Sequence, residues 1–199
     1  MSNWARGLAA VAVVAASVTA PAAAQFSDAY KFIKAVKDKD GAAATKLLSA
    51  NGTTIVNARD GDSGETALHI VTRGRDAGWM GFLLQHGANS NLRDRDGATP
   101  LVLAATTGFS EGVRILLLVK SPVDAANRLG ETALLKAVQA RDTVAARLLI
   151  DAGANADYTD NAGNTPRKVA LADTRGGPVA RLLKDAPARA AKPAQGPVL

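Results

Sequence analysis

Apolar positions along this chain come back in a fixed order at a fixed step. Leu83, Leu116, Leu149 and Leu182 lie 33 residues apart, and each is followed by a second aliphatic residue: Leu84, Leu117, Ile150 and Leu183. Around these pairs the apolar residues fall on one side of a helix, as in Trp79, Met80, Phe82, Leu83 and Leu84, and again in Ala145, Ala146, Leu148, Leu149 and Ile150. A second marker keeps the same step. "GETALHIV" begins at Gly64, "GATPLVLA" at Gly97, "GETALLKA" at Gly130 and "GNTPRKVA" at Gly163. Self-similarity at a period of this size is the mark of a solenoid, in which a unit buries its apolar side only against its neighbours.

The unit can be read as physics. The glycine ends a polar turn such as Asp94-Arg95-Asp96-Gly97, where a positive φ costs other residues more. Thr66, Thr99, Thr132 and Thr165 are placed to cap the open N–H groups of a helix start. Pro100 and Pro166 then fall at the first helical position, where a missing N–H does no harm. A helix of about two turns follows. Gly108 breaks it in one copy; Arg75, Arg141 and Thr174 mark the same step less clearly. The second helix carries the aliphatic pair, and Gly87 and Gly153 suit the left-handed residue that ends it.

An earlier, weaker unit is predicted from Phe32 to Val36 and Ala42 to Leu48, which makes five in all. Its Leu47-Leu48 pair lies 36 residues before Leu83-Leu84, so Ser49 to Val56 is expected to form a longer first loop. Lys31, Lys34, Lys37 and Lys39 in the first unit, and Arg167 and Arg181 in the last, give the stack the polar ends that a solenoid needs.

This pattern resembles the ankyrin repeat. The consensus G-x-T-P-L-H-x-A…LL-x-x-G-A is matched by Gly64-Glu65-Thr66-Ala67-Leu68-His69 with Leu83-Leu84-Gln85-His86-Gly87-Ala88, and the likeness runs from about Tyr30 to Asp185. The resemblance implies an all-α ankyrin-repeat solenoid of stacked helix-turn-helix units joined by β-turn hairpin loops. The expected division is a cap unit at 28–58, repeats at 59–93, 94–126 and 127–159, and a closing cap at 160–185.

The resemblance also implies a protein partner, held by the turn tips and the concave side of the first helices. Carried onto this chain, the contact positions are Asp62, Ser63, Glu65 and Arg73, then Arg93, Arg95, Asp96, Thr106 and Thr107, then Arg128, Leu129, Glu131 and Gln139. The bland alternative is that these are solvated loop residues that touch nothing. His69 occupies the ankyrin histidine position, where the ring bonds within the turn region, and His86 stands at a helix end where it meets the dipole. Both therefore read as structural.

The two ends of the chain carry other signals. Arg6, the apolar run Leu8 to Val18 and the small residues Ala22-Ala23-Ala24 form a secretory signal peptide, 1–24, with cleavage expected after Ala24 and the mature chain in the periplasm. The run is shorter than the ~20 residues of a spanning helix, so no stable membrane insertion is expected after cleavage. Residues 186–199 mix alanine, proline and charge without period and read as a disordered tail.

Composition narrows the chemistry. The 199 residues include no cysteine, which removes disulfides, thiolate nucleophiles and Cys-ligated zinc. The net charge is +6, but the positive excess lies in the end units and tail, and the contact face sets four arginines against Asp62, Glu65, Asp96 and Glu131. Without a basic stripe or stacking aromatics there, no nucleic-acid partner is expected. Two histidines in one repeat make no metal site without a third ligand, and the acids of residues 60–65 and 94–97 have neither the spacing nor the closing glutamate of a calcium loop. Asn51-Gly52-Thr53 is a weak glycosylation match. No cofactor, no metal and no enzymatic activity is expected, and the chain is read as a monomer. Two narrower readings stand beside general protein binding: a dedicated protector or inhibitor of one exported enzyme, and an envelope-associated structural protein held by its basic ends and tail.

Overall fold

The computed structural model describes residues 27–173 and 177–188. The proposed signal peptide and nearly all of the proposed tail lie outside the described residues, as does Thr174. The described helices come in five antiparallel pairs. They are α1 (Asp28–Lys37) with α2 (Gly41–Asn51), α3 (Ala67–Arg73) with α4 (Ala77–Gln85), and α5 (Pro100–Thr106) with α6 (Ser110–Leu118). Two more pairs follow: α7 (Ala133–Gln139) with α8 (Thr143–Asp151), and α9 (Pro166–Ala172) with α10 (Pro178–Asp185). The odd-numbered helices pack side by side as one layer, α1 on α3 through to α7 on α9. The even-numbered helices form the second layer, with α4 on α6, α6 on α8 and α8 on α10. The solenoid is all-α, as the pattern requires, with isolated β-bridges at Arg59–Thr66 and Ala126–Thr132 closing two of the hairpin turns.

The helix starts follow the sequence signals. Thr99, Thr132 and Thr165 are N-caps whose hydroxyls accept from the N–H groups of Val102, Leu135 and Lys168. Pro100 and Pro166 sit at the first helical turn. Asp76 and Asp142 cap α4 and α8 in the same manner, accepting from Trp79 and Ala145. The tip glycines Gly64, Gly97, Gly130 and Gly163 all adopt positive φ, between 68° and 81°.

One stretch differs from expectation. Ser49 to Val56 was expected to be a longer loop; α2 instead runs on to Asn51 and a 3-10 helix occupies Gly52–Asn57. Ile55 and Val56 are buried there against the core. Two adjacent β-branched residues wound into a tight helical turn bury themselves together, and the three extra residues become core instead of open loop.

The core threads every pair. Phe32, Leu68, Met80, Leu83, Leu101, Leu116, Leu134, Leu149 and Leu183 are fully buried, and alanines such as Ala104, Ala133 and Ala145 let the helices approach closely. At the far end Arg167 is half-buried. It pairs with Asp157 (2.8 Å) and donates to the carbonyls of Leu183, Ala186 (3.1 Å) and Pro187 (3.3 Å). A residue read as a polar cap therefore clamps the last helix onto the stack.

Candidate functional site

The turn tips are built from short polar side chains that fold the backbone on itself. Asp60 Oδ1 accepts from the N–H groups of Asp62 and Ser63 (both 3.0 Å). Asp94 Oδ1 does so from Asp96 (2.9 Å) and Ala98 (2.8 Å), Asn127 Oδ1 from Leu129 and Glu131 (both 2.9 Å), and Asp160 Oδ1 from Ala162 (2.9 Å) and Asn164 (2.7 Å). These are Asx turns repeated once per unit. A hydrogen bond from Lys37, aided by the N–H groups, holds the Asp60 carboxyl well below the usual carboxylate range.

Consecutive tips are then joined backbone to backbone. The N–H of Arg95 donates to Ser63 O (3.1 Å), that of Arg128 to Asp96 O (3.0 Å) and that of Asn161 to Leu129 O (2.9 Å). Arginine side chains add a second line of stitches. Arg59 donates to the carbonyls of Gly64 (2.9 Å) and Arg93, and Arg93 donates to those of Gly97 (2.7 Å) and Ala126. Arg95 reaches back to Gly61 O, and Asn161 Nδ2 to Arg128 O (2.9 Å). One buried histidine ties the first two full units together. His69 Nδ1 accepts from Thr66 N–H (3.2 Å), which leaves Nε2 to donate to Ala98 O (3.0 Å). Burial pushes its pKa below the usual imidazole value. His86 ends α4 with Nδ1 against Phe82 O (2.8 Å), at the helix terminus where it was placed from sequence.

The thirteen residues chosen from the sequence separate on this frame. Asp62, Asp96, Arg128 and Leu129 are exposed along the tips, Leu129 at 62%. Ser63 is half-buried, with its hydroxyl 3.2 Å from Asp60 Oδ1. Arg93 and Arg95 are exposed in part but engaged in stitching. On the first-helix layer Glu65 holds Arg73 through Nε (3.0 Å), and Glu131 accepts from Asn127 (2.9 Å) and Lys136 (3.3 Å). Thr106 and Thr107 donate their hydroxyls to Val102 O (2.8 Å) and Leu103 O (3.0 Å), and Gln139 is exposed. Sequence reasoning missed the line one helical turn earlier, Ile70, Leu103, Lys136 and Val169. It recurs at the same 33-residue step, and Ile70, Lys136 and Val169 are half-buried. The 33-residue step is the signal that carries it.

Among the described residues no group of three or more His, Asp or Glu side chains is placed to hold a metal, and no helix is long and apolar enough to cross a membrane.

The comparisons with known proteins agree on one family. The pattern described as "Ankyrin repeats (3 copies)" matches residues 32–125, and that described as "Ankyrin repeat" matches residues 129–161. The chain is similar to SH3 and multiple ankyrin repeat domains protein 1 of Homo sapiens, 44% identical over 42% of this chain and 4% of that protein. It is similar to neurogenic locus notch homolog protein 1 of Mus musculus, 34% identical over 62% of this chain and 5% of the relative. Protein phosphatase 1 regulatory subunit 12A of Mus musculus is 36% identical over 42% of the chain and 8% of its own length. The chain thus spans less than a tenth of each of these relatives. Helix pairs stacked at a 33-residue step, capped threonine by threonine and matched by both repeat patterns, place this chain in the ankyrin-repeat family.

Proposed function

We propose that this chain is a non-enzymatic protein-binding module of the periplasm, exported by residues 1–24, that grips a partner with its turn tips and the open side of its first-helix layer. The observation that carries this reading is the backbone stitching of the tips. It holds Asp62, Asp96, Arg128 and Leu129 in one line, exposed, on a frame that has little left to order when a partner arrives. Charges of both signs around one exposed leucine suit a mixed protein surface. One relative is by its printed name a regulatory subunit, which is in keeping with a binding role.

The test is capture from periplasmic extract with the wild-type chain and with a variant carrying Arg128→Glu and Leu129→Asp. The partner is expected to be lost while the helical melt stays nearly the same, because Arg128 and Leu129 join the neighbouring units by hydrogen bonds of their backbone and not of their side chains. Unaltered capture would overturn the assignment of this face. Export has its own check: the mature chain is expected to begin at Gln25, and a chain retained in the cytoplasm with residues 1–24 attached would refute it.

A further inference from the structure

The outer layer is continuous from α4 to α10 but parts between α2 and α4, which share no packing comparable to that of the other outer neighbours. The gap is a groove of about 390 Å³ lined by Lys39, Gly41, Thr45, Gly78, Trp79 and Phe82. Its size falls within the range of small-molecule sites. Two features set it apart from the corresponding places farther along the stack. Gly78 and Gly81 stand inside α4 where the later units carry Glu111 and Arg114, or Val144 and Arg147. Glycine is a poor helix former, and here no packing demands it. A Cβ at Gly41 or Gly81 would meet nothing within 4 Å, and one at Gly78 would meet only Asp76 Oδ1 at 3.6 Å. At Gly78, which lines the groove, the side chain that would cover it is missing, at a cost to the helix.

What its absence uncovers is aromatic. Trp79 and Phe82 are half-buried and lie edge to face with centroids 5.3 Å apart, and His86 backs Phe82 at 4.4 Å. At the mouth Lys39 Nζ meets Asp76 Oδ2 at 2.8 Å, joining the first unit to the second. That contact, with the N–H of Trp79, lowers the Asp76 pKa, so the pair is charged and self-neutralising. On the α2 wall the Thr45 hydroxyl donates to Gly41 O (2.7 Å), which leaves its oxygen free to accept. An apolar ligand would strip water from this rim without replacing it, and an ionic ligand would have to break the Lys39–Asp76 pair. A ring with a C–H face and a hydroxylated edge satisfies both surfaces. We propose that the groove between α2 and α4 binds a neutral saccharide, one pyranose ring lying against the Trp79–Phe82 surface with its hydroxyls toward Lys39, Asp76 and Thr45. This site lies on the layer opposite to the tip face and does not depend on the protein-binding role.

The test is calorimetric titration of the full chain with soluble chitotriose, maltotriose and cellotriose at millimolar concentration. Trp79 emission is followed in a Trp4→Phe background. At least one sugar is expected to bind and to shift the emission. Trp79→Ala is expected to weaken binding by about tenfold or more. Gly78→Glu, which restores the side chain found at Glu111, is expected to abolish binding with the helical spectrum retained; Gly78→Val, the residue found at Val144, provides the same block should that variant fold poorly. No binding of any of the three sugars would overturn the proposal. So would binding that survives Gly78→Glu and Gly78→Val. Blocking variants that impair capture of a protein, with no sugar bound by the wild type, would replace the saccharide with a peptide side chain.

Discussion

The two long edges of the stack are joined by different means. At the tip edge every joint between neighbours includes a backbone N–H to backbone carbonyl bond, to which Arg59, Arg93, Arg95 and Asn161 add side-chain donors, and glycine takes the left-handed position of each tip from Gly64 to Gly163. At the opposite edge, where the helices of each pair meet, the joints are side chains. Lys39 meets Asp76, Ser110 donates to Asp142 (2.7 Å), and Arg141 meets Asp173 (2.9 Å). There the left-handed positions fall to Lys39, Arg75, Gly108 and Arg141, with φ between 53° and 63°. A joint made of backbone does not specify the side chains around it, so positions such as 62, 96, 128 and 129, which carry none of the side-chain stitches, can vary in chemistry while the stack stays aligned. A joint made of side chains fixes its own sequence. That difference fits the recognition proposed for exposed Asp62, Asp96, Arg128 and Leu129, whereas Lys39, Asp76, Arg141 and Asp173 at the opposite edge are already paired with one another.

The sharpest way to break the tip edge is Gly130→Ala. A Cβ there would lie 2.8 Å from Asn161 Oδ1 and 2.9 Å from Asn161 N, in a residue held at φ +77°. A loss of about 3 kcal/mol is expected, read from chemical denaturation, because the strain of a left-handed alanine adds to separation of the last two tips. Gly112→Ala probes the place where the opposite edge departs from its own rule. Phe109 stands where Asp76 and Asp142 cap their helices, and its ring would lie 2.3 Å from the new methyl. A loss of about 2 kcal/mol is expected by the same measurement.

Acid sharpens the comparison further. The folded pKa of His69 is below that of the unfolded chain, so its contribution is present above the ordinary imidazole pKa near 6.5 and is lost as the pH falls below it. Protonation would set a donor at Nδ1 against Thr66 N–H and break that bond inside the turn, in a ring whose burial disfavours the charge, while Nε2 still donates to Ala98 O. The melting temperature is expected to drop by several degrees on going from neutral to mildly acid pH, and His69→Gln to remove that step. The lowered carboxyls of Asp60 and Asp76 add a separate loss as the pH falls through the carboxylate range. The smallest effect belongs to salt. The exposed Lys39–Asp76 and Arg141–Asp173 pairs contribute roughly 0.2–1 kcal/mol each. Raising the ionic strength should lower the melt of the wild type slightly, and that of Lys39→Ala by less.

Much of this was legible in the chain. The threonine caps, the N1 prolines, the tip glycines and the leucine pairs follow local rules whose partners lie within a few residues, so the 33-residue step displayed them directly. The left-handed Arg75 and Arg141 were harder to read, because nothing in a basic side chain announces a positive φ; only their register with Gly108 did. The role of Arg93 and Arg95 was hidden for another reason. An arginine in a turn is the same letter whether it faces solvent or reaches a carbonyl of the neighbouring unit, and that distinction is tertiary. Ser49 to Val56 reads as loop from the period alone, because three residues beyond it suggest slack, whereas Ile55 and Val56 have core to fill.

The joining of Ser63 to Arg95, Asp96 to Arg128 and Leu129 to Asn161 makes the row of tips a ruler. Its graduations are set by the spacing of packed helices, roughly 8–10 Å. A partner that touches several tips at once must present its own groups at that interval. A flexible ligand with another spacing gains from one or two marks only, however well each single contact fits.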